Sequence, residues 1–366
     1  MVCIQSADKT CVFLLGSAHF FVDFSCTALL TLLSARLPFS AVLLYAALYN
    51  GLAFAFQLPI GAVGDVWKQN RLMAALGCCL VAAGALFSQP ILLCLLIGLG
   101  NACFHVGGGR EVLLRDGGKA GLVGRFVAPG ALGIFLGPKL VQIFPALPFL
   151  LFGGLAVFAL SLFFSHRRMQ AVQMPALAAM PLSGPRQVFF LSCMFLTVLL
   201  RSYMGTVLRY PFLGSFLPAL IFSVCIFGGK YFGGILSDRF GVLKFSTLAQ
   251  LLSCLLLVVS VWIPLLAMPG IFLFNTSMAV TAAGLYRAMP RYPGTMFGLT
   301  TFALYLGILP RLLGWPNLLF HWWGLALLGL LSALFLLGGL LLLKGGSAHV
   351  RPSVVAGPVP GDNPAP

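Results

Sequence analysis

The stretch "GILSDRFGVLK" (234–244) separates two long apolar runs, and the chain holds an echo of it, "GAVGDVWKQNR" (61–71), between two earlier ones. Gly61 and Asp65 map onto Gly234 and Asp238 at an offset of 173 residues. The same offset carries Gly121 onto Gly294, each at the start of a further apolar run. Three matches at equivalent places read as an old duplication of a multi-helix unit.

The apolar runs decide what that unit is. Of 366 residues, 60% are hydrophobic and only 8% charged, with a mean hydropathy of +1.04. So few charges cannot cover the surface of a soluble protein of this size. Runs long enough to cross about 30 Å of hydrocarbon recur along the whole chain. Twelve spans are expected: 11–34, 40–64, 72–88, 91–111, 121–141, 147–165, 187–208, 212–236, 244–263, 266–286, 294–312 and 319–343. The basic, proline-broken stretch 166–186 reads as a linker between a six-helix half (1–165) and a second one (187–343). The Pro- and Gly-rich end, 344–366, reads as a disordered tail.

The net charge of +15 is topological. Lys68, Arg71, Arg115, Lys119, Arg167, Arg168, Arg186, Arg239, Lys244, Arg287, Arg291 and Lys344 fall on one side, whereas Arg36, Arg209 and Arg311 fall on the other. This bias puts both termini and both echo loops in the cytoplasm and leaves nucleic acid without a role. The first apolar run is read as a retained span rather than a cleavable signal, because it carries His19 and Asp23. The ten cysteines form no CxxC pair and read as packing residues. Five histidines lie in different segments without ligand spacing, and no phosphate-cradling loop occurs, so neither metal, ATP nor another cofactor is expected.

At the echo loops the chain resembles the major facilitator superfamily, whose signature between helices two and three is G-x-x-x-D-(R/K)-x-G-(R/K). Gly234, Asp238, Arg239 and Gly241 fit it; the first copy keeps Gly61 and Asp65 but has Val66 and Lys68. Gly124, Gly133, Gly137 and Pro138 match a helix-five pattern of proton-coupled antiporters. "AHFFVDF" and "FHVGGGR", with His19, Asp23, Phe104, His105 and Arg110, resemble bacterial efflux proteins of the fosmidomycin-resistance type. The resemblance implies an all-α integral membrane protein with twelve helices in two pseudo-symmetric halves. It implies a transporter of the bacterial inner membrane, functional as a monomer, exporting a small organic compound in exchange for protons. Uptake of an organic anion, by proton symport or facilitation, is the alternative. A receptor or assembly factor is a remoter one, and no nucleophile–base constellation points to an enzyme.

Helical spacing sets His19 and Asp23 on one face of span one with Gly16, Thr27 and Thr31. A carboxylate near mid-membrane is unfavourable by at least about 2.5–3.5 kcal/mol. Burial disfavours its charge and a cationic His favours it, so a change in hydration could load and unload a proton. Glu111, at the end of span four, is a second candidate for a relay or else anchors a loop. Asn50, Gln57, Asn101, His105, Arg201, Lys139 and Lys230 are expected to line a substrate cavity or to join helices. The family pattern makes Asp65 and Asp238 gate latches, with Arg239 in the motif, Arg110 or Arg115 as partners of Asp65, and Arg287 as partner of Asp238. Gly124, Gly133 and Gly137 are expected at a helix interface that parts and re-forms.

Overall fold

The computed structural model describes residues 6–144, 146–168 and 184–347. These form helices α1 (Ser6–Ser34), α2 (Phe39–Asn50), α3 (Gln57–Trp67), α4 (Asn70–Gly84), α5 (Pro90–Asp116), α6 (Gly121–Ile143) and α7 (Leu147–Arg168) in the first half. The second half contains α8 (Pro185–Val207), α9 (Phe216–Phe240), α10 (Val242–Val259), α11 (Ala267–Asn275), α12 (Ser277–Ala288), α13 (Pro293–Leu312) and α14 (Trp322–Ser347). Ten stretches are long and apolar enough to cross a membrane, with α2–α3 and α11–α12 each counting as one. The two remaining expected spans correspond to the shorter α4 and to α7. Most of the expected linker and tail lies outside the described residues; α14 extends to Ser347, past the expected start of the tail.

Local chemistry sets several boundaries. Gln89 caps α5 by accepting from the Leu92 N–H, Pro90 takes the first helical position, and Gly117 ends the helix with φ +58°. Between α2 and α3 the span winds as a π-helix over Gly51–Ala55. Asn50 and Gln57 flank it, and their amide N–H groups donate one turn back to the carbonyls of Ala46 and Ala53, which gives these donors partners inside an apolar span.

Within the first half α1 packs on α6, and α4 on α5 and α7; within the second, α8 packs on α13 and α14, and α9 on α11. The halves meet mainly along α3 with α13 and α6 with α9. Large apolar side chains point outward on the helices that wrap this core, among them Phe13, Leu150, Leu248 and Leu334. A surface of that kind suits lipid rather than water.

The two echo loops take a positive φ at one equivalent position. Gly241 ends its loop with φ +93°, and Lys68, at the equivalent position, adopts φ +60°. Their ψ angles differ, 122° at Gly241 against 15° at Lys68, and Lys68 lies in the left-handed helical region that is unfavourable for a residue with a Cβ. Lys68→Gly should therefore stabilise the chain by about 0.5–1 kcal/mol. Thermal unfolding in detergent checks this, and an unchanged or lower midpoint would count against it.

Candidate functional site

Two pairs spaced one helical turn apart face each other in the first half: His19 and Asp23 on α1, Asn101 and His105 on α5. All four are buried. His19 Nε2 lies 3.1 Å from Asp23 Oδ2, and Asn101 Nδ2 donates to Asp23 Oδ1 at 2.9 Å. His105 Nε2 lies 2.8 Å from His19 Nε2 and 3.7 Å from Asp23 Oδ1. The remaining ring nitrogens face backbone carbonyls: His19 Nδ1 that of Phe126 at 2.7 Å, and His105 Nδ1 that of Asn101 at 2.9 Å. A carbonyl only accepts, so each Nδ1 carries its hydrogen and each neutral ring keeps its lone pair on Nε2. Two lone pairs cannot meet at 2.8 Å unaided. A proton held between the two nitrogens would satisfy both, and the Asp23 carboxylate lies beside them.

Helix α6 closes this cluster from the other side. The rings of Phe104 and Phe126 lie 6.0 and 4.9 Å from the His19 ring. A side chain at Gly130 would collide with Asp23 Oδ2 and His19 Nε2, so the bare backbone there leaves the room the cluster occupies. The sequence reading found no ligand spacing among the histidines; tertiary packing brings two of them and a carboxylate together, with the candidate ligand atoms all within 4.8 Å.

The second half contributes cations. Arg201 on α8 is 5% exposed; it donates to Ser277 Oγ at 3.3 Å, and its other terminal nitrogen lies against Met278 Sδ. Among the described residues no carboxylate pairs with it. Lys230 on α9, partly exposed, lies within electrostatic reach of Arg201, Asp23 and His105. Lys139 is instead exposed near the end of α6. Thr197 is buried beside this region and bonds its own helix, donating to the Cys193 carbonyl. Gln57 Oε1 and Asn101 Oδ1 are buried without hydrogen-bond partners.

The loop aspartates form a reciprocal pair of latches. Asp65 accepts from the Gly294 and Thr295 N–H groups at 2.7 and 2.8 Å and from Thr295 Oγ1 at 2.8 Å, so it caps the N-terminus of α13 in the opposite half. Asp238 accepts from Ala120 N–H at 3.1 Å and Gly121 N–H at 2.8 Å, capping α6 across the same boundary. Positive helix ends and carboxylates attract, and each carboxylate satisfies peptide donors that the helix leaves free. A Cβ on Gly61 would strike the Gly294 carbonyl, and one on Gly234 the Ala120 carbonyl. The residues sharing the 173-residue offset are thus the ones that touch.

Partner assignments divide. Arg110 pairs with Asp65 at 3.1 Å and also donates to Asn70. Arg115 does not reach Asp65; it pairs with Glu111 one turn back at 2.9 Å. Glu111 is also held by Arg71 at 3.0 Å and Asn70 at 2.8 Å, an anchoring cluster separate from Asp23. Arg287 lines a small cavity with Asp238, whose direct partners are peptide N–H groups. Arg239 lies over the Phe240 ring. Gly124 packs on α9 backbone across the boundary between the halves, whereas Gly133 and Gly137 pack on α1 within the first half, an interface that rigid halves need not part. Pro138 is partly buried inside α6. Sequence reading missed Asp116, which accepts from Leu122 and Val123 N–H at 2.6 and 3.1 Å and adds a second carboxylate at the α6 N-terminus. An Asp before a Gly-rich turn and a helix start was its signal.

No family model and no curated protein matches the chain. Solved structures do. A crystal structure of the Escherichia coli fucose:proton symporter FucP aligns with a TM-score of 0.58 at 14% identity, covering 90% of this chain and 98% of that one. A structure of FucP described as a major facilitator superfamily transporter in the outward conformation aligns with the same values. The chain has the all-α major facilitator fold.

Removing a latch carboxylate should loosen the half it does not belong to. Asp65→Ala is expected to speed amide hydrogen exchange at residues 294–295, and Asp238→Ala at residues 120–121, by roughly 10-fold or more for the loss of charge-assisted bonds. Exchange that rises only in the mutated residue's own half, or not at all, would contradict the reciprocal geometry.

Proposed function

We propose that the chain is a secondary transporter working by alternating access in a bacterial inner membrane, coupled to protons through the His19–His105–Asp23 cluster. The observation that carries this reading is the 2.8 Å contact between two histidine nitrogens whose other hydrogens are committed to carbonyls. A shared proton there, balanced by one buried carboxylate, can leave when water reaches the site from one side and return from the other. The latches hold the loop side, cytoplasmic by the positive-inside bias, shut while the other side is open.

Arg201 supports a small organic anion as substrate. A guanidinium that deep, without a carboxylate, needs either water or an anionic ligand, and Lys230 adds a second positive charge nearby. An anion and a proton each make the other's binding more favourable, so their movement in one direction is the coupling this charge pattern supports. The solved neighbours carry the name of a proton symporter. The helix-five resemblance instead supports antiport and efflux; Gly133 and Gly137, packed inside one half, do not add to it.

Proteoliposomes decide among these. With a panel of carboxylates, phosphates and phosphonates added outside, symport raises the external pH, antiport lowers it, and uncoupled facilitation leaves it unchanged. Asp23→Asn should abolish the substrate-triggered pH change. Arg201→Ala should weaken the apparent affinity for an anion by roughly 10–100-fold, the loss of a charged hydrogen bond. Proton movement indifferent to Asp23→Asn would overturn the coupling, and anion transport indifferent to Arg201→Ala would overturn the substrate class.

A further inference from the structure

The same three side chains carry a second chemistry. His19, Asp23 and His105 are buried, come from two helices, and place their candidate ligand atoms within 4.8 Å of one another. Neutral imidazole nitrogens bind first-row dications at about 2.0–2.1 Å, and at tetrahedral angles two such ligands stand about 3.3–3.4 Å apart. The separations here bracket that value: 2.8 Å between the two Nε2 atoms, 3.1 Å from His19 to Asp23, and 3.7 Å from His105 to Asp23.

The surroundings match what holds metal ligands in place. Each imidazole donates its other N–H to a backbone carbonyl, those of Phe126 and Asn101, which fixes the ring and directs the Nε2 lone pair inward. The carboxylate is itself oriented by Asn101 Nδ2. The oxygen of that same amide, Asn101 Oδ1, is fully buried and has no hydrogen-bond partner, so an unsatisfied acceptor sits on the side chain that borders the site. The bare backbone of Gly130 packs directly against Asp23 and His19 and holds their ligand atoms together.

We propose that His19, His105 and Asp23 form a binding site for a divalent transition metal of the zinc class, with the fourth position open. Two nitrogens and one carboxylate suit Zn²⁺, Co²⁺, Ni²⁺ and Cu²⁺ and disfavour Mg²⁺ and Ca²⁺, which take oxygen ligands. The metal would take the place of the proton shared by the two Nε2 atoms and release it; the binding test reads no transport, so metal binding and the proposed coupling can fail separately.

The test uses the purified full chain in detergent with any affinity tag removed. Co²⁺ should give the intense visible bands of a four- or five-coordinate ion, and Cu²⁺ should show electron paramagnetic resonance splitting from two nitrogens. Zn²⁺ should displace both ions. His105→Gln should weaken Co²⁺ binding by at least the roughly 10–100-fold that loss of an outer-shell partner costs. The remaining histidines are His166, His321 and His349, and replacing all three with Gln should leave affinity and spectra unchanged. Absent binding, a six-coordinate cobalt spectrum, copper without two nitrogens, or a signal that disappears with the triple variant would each overturn the proposal. The copper measurement on the parent chain decides the matter even if His105→Gln does not fold.

Discussion

A charge inside hydrocarbon must be answered, and the interior of this protein is organised by how each charge finds its answer. Asp23 has two imidazoles and an amide. Glu111 has two guanidiniums and Asn70. Asp65 has Arg110 and the first turn of α13, and Asp238 the first turn of α6. Arg201 is buried and, unlike Asp23, Glu111 and Asp65, has no opposite charge beside it among the described residues; a hydroxyl and a thioether do not neutralise a guanidinium. The uncompensated group lies in one half and the His19–His105–Asp23 cluster in the other, so the boundary between the halves also separates the two roles proposed for them.

What could be read from the chain follows from the range of each interaction. Helix periodicity is local, so the pairing of His19 with Asp23 and the stripe of Asn101 with His105 were both visible one turn at a time. That the stripes face each other depends on how α1 and α5 pack, and no spacing within one chain segment reports it. The duplication made the latches legible, because an offset repeated in the sequence marks positions that are equivalent in space. Arg115 illustrates the opposite case. The family pattern offered it to Asp65, while Glu111 four residues before it was the nearer acid on the same helical face. Gly133 and Gly137 looked like part of the moving boundary because small residues mark close helix contacts without saying which contacts move.

The latches show how a duplication becomes a mechanism. Each copy supplies an aspartate at the end of one helix and a bare glycine at the start of another, and the two copies exchange them across the boundary. Each aspartate reaches across to the other half's helix end, Asp65 while also holding Arg110 of its own half, so separation at the loop end must break both sets of crossing bonds together. A charge-assisted hydrogen bond contributes about 1.5–3 kcal/mol, and moving a two-state equilibrium from 1:99 to 99:1 takes about 5.5 kcal/mol. In the proposed alternating access, a few such bonds are enough to favour one arrangement of the halves and weak enough for a bound ligand to overcome. A continuous hydrophobic seal of the same area would not have that balance; Gly61 and Gly234 keep the contact to backbone and carboxylates, where the free energy resides in a small number of bonds that can be made again in another arrangement.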